Sequence, residues 1–369
     1  MPTIRSTTTL AAAALAACAC VSHAQVFQFS ASAPDADRWN YPFGTSPGVE
    51  ELASTFGATL IAGFDDYDAQ FIVAWETAGV IASGLGVHRY HVERAIVRVT
   101  VANDNEFVYD DTFDSYRTFL PETDALFTPD DDPGRPIELW GVGYRGPFSI
   151  STWYETAPFG GQPVIPPAQD SRFAFASYVD EVGVDRNVSL RVRERFDADP
   201  FAIGTATLTP GSLVPADTEF TFAIDLCRGG SDLYLRRGLD AGVLRFTVAS
   251  LSPADGGPGG GSGAFPRWYT RENPIAQILG YTAKLELTVR VGSAADMTGS
   301  SDPFSPDYGV PDGIVDAADF FYYLDLFVAN DPRADLSGSS DPTSGAYGRP
   351  DCQIDAADFF YYLDQFVAG

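Results

Sequence analysis

The C-terminal fifth of the chain contains an internal repeat, and this repeat restricts the possible folds more than any other feature. The string DAADFFYYLD occurs at residues 316–325 and again at residues 355–364, an offset of 39 residues. The same offset relates two further pairs of aspartates: Asp296 and Asp335, and Asp312 and Asp351. A constant offset over this length indicates a duplicated structural unit rather than one copied string.

Nearly half of the net charge of −27 lies in the repeat region. Residues 294–369 contain 14 Asp, no Glu, no Lys and 2 Arg, which gives a formal charge of −12. A chain this acidic repels nucleic acids and anionic membrane surfaces, so neither is a predicted partner. Carboxylates are the ligands that hard cations such as Ca²⁺ prefer, so the charge points to cation binding.

The second half of each unit fits a calcium loop of the EF-hand type that leads into a helix. Such a loop has oxygen ligands at positions 1, 3, 5, 7, 9 and 12 and a glycine at position 6. In the first unit Asp312 fits position 5 and Gly313 fits position 6. The ligands that follow are predicted to be the Ile314 carbonyl, Asp316 and Asp319. Asp319 also falls in the first helical turn, where a negative charge is favourable.

The upstream ligands require an insertion into this pattern. Asp296 and Thr298 are predicted at positions 1 and 3, which places 12 extra residues between positions 3 and 5. Asp302 and Asp307 lie inside the insertion and are alternative ligands. The second unit has Cys352 in place of the position-6 glycine, which predicts a strained turn. Its predicted ligands are Asp335, Ser337, Asp351, Gln353 through its carbonyl, Asp355 and Asp358. We therefore predict two Ca²⁺ ions, one per unit.

The duplicated loop and helix resemble a type I dockerin, and more closely the GC-type dockerin-like anchors of planctomycete exported proteins. The resemblance covers residues 295–369 and includes the aromatic helix string DFFYYL. It implies one Ca²⁺ per loop and a cohesin-like protein partner. Loop positions 10 and 11 are alanines here, whereas cellulosomal dockerins often have Ser-Thr recognition residues there, so the implied receptor differs from a cellulosomal cohesin. These alanines are Ala317, Ala318, Ala356 and Ala357.

The helix aromatics divide into a packing face and a docking face. Residues at i, i+4 and i+7 share one helix face and are predicted to pack the two helices together. These residues are Phe320, Leu324, Phe327, Phe359, Leu363 and Phe366. The next two aromatics of each string fall off this face and are predicted to be exposed and to contact the partner. They are Phe321, Tyr322, Phe360 and Tyr361.

Residues 25–293 are predicted to form one β domain, followed by the dockerin-like domain at 294–369. Segments of alternating apolar and polar residues recur between Gly- and Pro-rich turns, without an alternating helix pattern. This predicts an antiparallel, jelly-roll-like β-sandwich. The predicted strands are 93–101, 137–144, 172–179, 188–196, 218–226, 243–251 and 283–291, with a short helix at 48–55.

The first 24 residues are predicted to be a signal peptide. Residues 7–21 are apolar and too short to span a bilayer, and small residues precede Gln25, so cleavage is expected before Gln25. The segment LAAC resembles a lipobox, so a lipoprotein anchored through Cys18 is the alternative. No other segment is expected to cross a membrane. Cleavage at Gln25 leaves Cys227 and Cys352, and their pairing stays open at this point.

The β domain has no strong catalytic motif. HExxH and phosphate-loop patterns are absent from the sequence. The main hypothesis is an exported, non-catalytic protein that binds polysaccharide or has a structural role at the surface. The alternative is a polysaccharide-degrading hydrolase carried on the same anchor. The five tryptophans could include a sugar-stacking platform, although packing is expected for most: Trp39, Trp75, Trp140, Trp153 and Trp268.

Overall fold

The structure is a computed structural model that describes residues 24–44, 46–161, 170–254 and 263–368. The chain is mainly β and its sheets are antiparallel, which confirms the coarse prediction. The predicted signal peptide, apart from Ala24, and the lipobox with Cys18 lie outside the described residues. In the part described, no helix combines the length and apolarity that a membrane span requires.

The body of the protein contains thirteen described strands and three described helices. The strands are β1 (Gln25–Ala31), β2 (Ala36–Asn40), β3 (Leu52–Ser54), β4 (Gln70–Glu76), β5 (Tyr90–Thr100), β6 (Ile137–Tyr144), β7 (Ala174–Val179), β8 (Asp185–Asn187), β9 (Ala202–Ile203), β10 (Glu219–Ala223), β11 (Val243–Ser250), β12 (Arg267–Tyr269) and β13 (Lys284–Val291). The helices are α1 (Arg191–Glu194), α2 (Ser231–Ala241) and α3 (Pro274–Leu279).

The smaller sheet has four strands in the order β1-β13-β5-β10. Its residues alternate, because one face is covered and the other meets solvent. Leu285 and Leu287 of β13 are buried in the core. On the opposite face, Glu286 forms ion pairs with Arg94 and Arg98 across the β13–β5 register, and Lys284 pairs with Glu219 of β10. This outer face is therefore a ladder of exposed opposite charges.

The larger sheet runs in the order β2-β4-β11-β6-β7-β8, with β9 also paired to β6. Every residue of β11 is buried, as is all of β4 and β6 except one end residue each, so this sheet is covered on both faces. One face shares a hydrophobic core with the smaller sheet and helix α2. The other face packs Trp140 against Tyr67 under the segment around α1. The two sheets and α2 thus enclose the main core.

Two of the predicted elements are wrong, and helices α2 and α3 were not predicted. Residues 188–196 contain helix α1 instead of a strand, because Arg191 is fully buried in an ion pair with Glu138 of β6, 3.1 Å away. Residues 48–55 form a turn and strand β3 instead of a helix. Helix α2 was missed, although Leu235 and Leu239 lie four residues apart on its buried face. The other six predicted strands overlap β5, β6, β7, β10, β11 and β13.

After β13 the chain forms the C-terminal unit, with helices α4 (Ala317–Val328) and α5 (Ala356–Ala368). Its hydrophobic cluster is formed by residues between Ala294 and Phe366 and contains no residue of the two sheets. Tyr323 of α4 and Tyr362 of α5 stack at its centre, with ring centroids 3.9 Å apart and planes 2° apart. Phe320 contacts Phe366, which lies near the opposite end of α5, so the helices run antiparallel.

Candidate functional site

Both helices of the C-terminal unit begin at an aspartate from the repeat. The Asp316 carboxylate accepts a hydrogen bond from Ala318 N (2.7 Å), and the Asp319 carboxylate accepts one from Asp316 N (2.9 Å). This reciprocal arrangement is a capping box, which satisfies the free amides of the first helical turn. Asp355 and Asp358 repeat both contacts in the second unit, at 2.7 and 2.8 Å.

The aspartate at loop position 12 also connects the helix to the upstream segment. Asp319 Oδ1 accepts hydrogen bonds from Met297 N (2.7 Å) and Thr298 N (2.8 Å). Asp358 Oδ1 makes the equivalent contacts in the second unit, to the amides of Leu336 (2.6 Å) and Ser337 (2.8 Å). In each unit the start of the helix is therefore held against the residues that precede the insertion.

Loop positions 1 and 5 are joined in the same way. Asp296 Oδ1 accepts a hydrogen bond from Asp312 N (3.2 Å), and Asp335 Oδ1 accepts one from Asp351 N (3.0 Å). The second oxygen of Asp296 accepts from Ala24 N (3.0 Å), beside the first strand of the body. The predicted residues at positions 1, 5 and 12 are thus neighbours in space despite their separation in sequence.

The position-3 hydroxyls turn toward the insertion. Thr298 Oγ1 donates to backbone carbonyls of the insertion and accepts a hydrogen bond from Gly309 N (2.8 Å). Ser337 Oγ accepts the matching bond from Gly348 N, also at 2.8 Å. Both side chains are buried. In the structure these hydroxyls therefore hold the insertion in place.

The chemistry of each loop suits a hard cation. The side-chain atoms available as metal ligands are carboxylate and hydroxyl oxygens. The side chains of Asp319 and Asp358 are fully buried. No Arg or Lys side chain of the described residues forms an ion pair with these two carboxylates, so buried negative charge is left without a counter-charge. However, no three carboxylates of either described loop bring one oxygen each within 4.8 Å of one another. Ligation of one ion would require the carboxylates to turn from the backbone amides toward it.

Burial shifts the titration of these carboxyl groups. It raises the pKa of Asp319 and of Asp358 above the ordinary value, against the lowering effect of their backbone hydrogen bonds. Burial also raises the pKa of Asp335 to about 6. A bound cation would oppose these shifts, because it stabilises the ionised form.

The remaining predicted ligands lie on the outside of the loops. Asp312, Ile314, Asp316, Asp351, Gln353 and Asp355 are all exposed. The Asp316 and Asp355 carboxylates are used as helix caps. Cys352 takes a left-handed conformation (φ 66°), as does Gly313 at the same loop position (φ 86°). A non-glycine residue is strained there, as the sequence predicted.

The predicted exposure is wrong for two of the four aromatic residues assigned to docking. Tyr322 and Tyr361 are buried, with 6% and 3% exposure, because they pack into the cluster of the C-terminal unit. Phe321 and Phe360 are exposed at 58% and 53%. The sequence missed this because Tyr322 packs edge-on against Tyr308, a residue of the insertion that the helical period does not include. The four loop alanines are exposed or half-buried at the helix starts: Ala317, Ala318, Ala356 and Ala357.

The predicted packing face is shifted. Phe320, Phe327, Phe359 and Phe366 do pack at the helix pair, but only as partly buried residues around the Tyr323–Tyr362 stack. Leu324 and Leu363 are half-buried and lie outside the cluster. Each helix consequently has an outward apolar stripe: Phe321, Leu324 and Val328 on α4, and Phe360, Leu363 and Val367 on α5. The two valines are 84% and 85% exposed, and the sequence analysis had not singled them out.

The second loop is covalently joined to the body. Cys227, in the segment before α2, forms a disulfide with Cys352, with Cα atoms 5.7 Å apart. Arg236 of α2 donates to the Gly348 carbonyl (3.3 Å), and Arg349 donates to the Glu181 carbonyl (3.1 Å). A cleft of about 640 Å³ separates the unit from the body beside these contacts. Its lining includes His91, Arg290, Tyr322, Arg333 and the disulfide.

No family model matches this chain, and no curated protein matches it. The candidate site therefore depends on the geometry of the repeat and on its resemblance to dockerins.

Proposed function

We propose that this is an exported, non-catalytic protein that is held to a cohesin-like partner by a calcium-dependent, dockerin-like unit at residues 294–369. The body would be a jelly-roll-like antiparallel sandwich, which the shared core of the two sheets supports. One observation carries the proposal: the position-12 carboxylate closes each loop through the same two backbone hydrogen bonds, at an offset of 39 residues. A solvated acidic tail has no reason to keep that register.

The docking surface is proposed to be the two outward stripes. Phe321 and Phe360 are large exposed apolar side chains at equivalent positions of antiparallel helices, so a half-turn of the helix pair exchanges them. Exposed aromatics surrounded by charge are common at protein interfaces. The adjacent Asp325 and Asp364 carboxylates, which accept from Tyr308 and Tyr347 hydroxyls at 2.8 Å, would form a polar rim.

The calcium part of the proposal is tested by titration of the full chain. Asp319→Asn and Asp358→Asn each keep the side-chain shape and remove a buried charge, so each is expected to abolish binding at one loop and spare the other. Asp325→Asn is the matched control, since it removes a carboxylate of the same unit that stands at no predicted ligand position. Isothermal titration should show normal binding for this control. Unchanged binding in the Asp319→Asn/Asp358→Asn variant would contradict a role for the loops.

The docking part is tested with immobilised cohesin-like domains other than cellulosomal cohesins, in Ca²⁺ and again in EDTA. Phe321→Ala/Phe360→Ala should lower the affinity by at least tenfold, because exposed aromatics at an interface centre carry much of its binding energy. Val80→Ala, at an exposed apolar position of the body, is the control and should bind as wild type. Equal binding by wild type, Phe321→Ala/Phe360→Ala and Val80→Ala would show that the stripes are not part of the interface.

For the body, the burial of the tryptophan side chains favours a structural role over tryptophan-mediated sugar binding. Trp75, Trp140 and Trp268 are fully buried, Trp153 is 4% exposed, and Trp39 is half-buried, so none presents an open face. A polysaccharide panel distinguishes the possibilities: pull-down measures binding, and released reducing sugar measures hydrolysis. Neither signal is expected for a structural protein. Sugar release at turnover would replace this proposal with the anchored hydrolase.

A further inference from the structure

A second group of carboxylates lies in the body, far in sequence from the repeat. Asp37 is on β2, Glu155 follows β6 and precedes a gap in the described residues, and Glu272 lies in the loop between β12 and α3. One carboxylate oxygen of each lies within 4.8 Å of the other two, and this is the one such group in the described ranges. Three segments of the body therefore converge on one acidic point.

The hydrogen bonds around this point leave two oxygens without a donor. Asp37 N donates to Glu155 Oε1 (2.8 Å), and Asp37 Oδ2 accepts from Arg271 N (2.8 Å). The Arg271 guanidinium contacts both Glu155 Oε2 and Glu272 Oε1 at 2.8 Å. Asp37 Oδ1 and Glu272 Oε2 are buried and have no hydrogen-bond partner among the described residues. Asp37 as a whole is only 2% exposed, so bulk solvent does not solvate its unpartnered oxygen.

The charges near the point do not balance. One guanidinium, from Arg271, faces three carboxylates, which leaves two negative charges. Arg38 is close to Glu155, but it also faces Glu50. The charges of Arg38 and Glu50 cancel each other, so Arg38 does not neutralise the cluster.

We propose that Asp37, Glu155 and Glu272 bind one divalent cation of the calcium class. Ca²⁺ lies 2.3–2.6 Å from its oxygen ligands, so two oxygens on one ion are at most about 5 Å apart, which the cluster satisfies. A divalent ion also matches the two uncompensated charges and supplies the partner that Asp37 Oδ1 and Glu272 Oε2 lack. Water would complete the coordination shell. The ion would connect β2, the segment at Glu155 and the loop before α3.

This site is independent of the C-terminal loops and goes beyond the proposed function. Its simplest rival is a proton shared between Asp37 and Glu272, which would also satisfy the two free oxygens. The two cases differ in what binds: a shared proton gives a pair that takes up no metal.

The test counts Ca²⁺ bound to the full chain by equilibrium dialysis. Wild type should bind three ions, and Asp319→Asn/Asp358→Asn should bind one. Adding Glu272→Gln to that variant should remove the last ion, whereas adding Glu122→Gln, an exposed control, should not. Because Glu272 lies in a loop, its amide variant should fold, which a circular dichroism spectrum equal to that of wild type would establish. Asp37→Asn is the second variant and should act like Glu272→Gln.

The outcomes separate this site from the proposed function. The site is supported if Asp319→Asn/Asp358→Asn binds one ion and this ion is lost when Glu272→Gln is added. This holds even if wild type also binds only one ion, which would mean that the loops bind none. No ion in Asp319→Asn/Asp358→Asn, or an ion that survives both Glu272→Gln and Asp37→Asn, overturns the site and leaves the loops unaffected. Ca²⁺ should also raise the thermal midpoint of Asp319→Asn/Asp358→Asn, and lose that effect with Glu272→Gln.

Discussion

Removal of the disulfide should loosen the C-terminal unit by a calculable amount. The bond joins Cys227 to Cys352, which are 125 residues apart in sequence. Closing a loop of that length lowers the entropy of the unfolded chain by the equivalent of about 5 kcal/mol. Measured values are often smaller, because unfolded chains retain structure, so we expect Cys227→Ser to cost about 2–5 kcal/mol. The polar contacts of Arg236 and Arg349 remain and keep the unit on the body.

The assay is urea unfolding of wild type and Cys227→Ser, each with and without dithiothreitol, followed by far-ultraviolet circular dichroism for the helices and by tryptophan fluorescence for the body. All five tryptophans precede residue 294, so fluorescence reports on the body alone, whereas circular dichroism reports on the helices of both parts. Cys227→Ser should shift the helix transition to lower urea. Dithiothreitol should move wild type to the same midpoint and leave the variant unchanged. A helix transition at one urea concentration in all four samples would refute the reasoning.

Cys352 allows a second comparison at the same bond. Cys352→Ser and Cys352→Gly both lose the disulfide, but only glycine accepts a φ of 66° without a Cβ penalty. The glycine variant should be more stable than the serine variant by about 1 kcal/mol. Equal midpoints would mean that the turn relaxes once the bond is gone.

Two further predictions concern buried polar groups. Tyr362→Phe should raise stability by up to about 1 kcal/mol, since the Tyr362 hydroxyl is buried without a partner in the described structure; a loss in urea midpoint would contradict this. Burial raises the pKa of Asp68 from 3.8 to about 7, so the folded chain holds this proton more tightly than the unfolded chain. The contribution of Asp68 to the free energy of unfolding therefore falls as the pH rises from about 4 to about 7. Asp68→Asn should therefore gain stability relative to wild type from pH 4 to pH 8, and a constant difference between their urea midpoints over that range would refute the assignment.

The β body was predictable wherever one face of a strand meets solvent. β13 alternates because Glu286 faces outward while Leu285 and Leu287 face the core, and the sequence shows that alternation directly. Residues 188–196 show the same alternation, yet the segment turns because Arg191 is drawn inward by Glu138. That ion pair joins residues 53 positions apart, and a local pattern carries no information about it.

In the repeat, the register of the loops could be predicted and the aromatic faces could not. The aspartates at positions 1, 5 and 12 recur at a fixed offset, so the sequence alone brought Asp296, Asp312 and Asp319 together. The helical period predicted that Tyr322 is exposed, because this period takes only the residues of the helix itself into account. The insertion covers that side with Tyr308. The acidic group of Asp37 was not predicted, since its members come from three distant segments.

The charge ladder on the smaller sheet has a practical consequence. Lys284 is the single lysine of the chain, and its ammonium group is held by Glu219 at 2.7 Å. An amine-reactive dye used above pH 9 would therefore attach at one defined side chain, besides the α-amino group. That position lies at the start of β13 in the body, so a fluorophore or a surface linker placed there would not be attached to the proposed docking surface of α4 and α5.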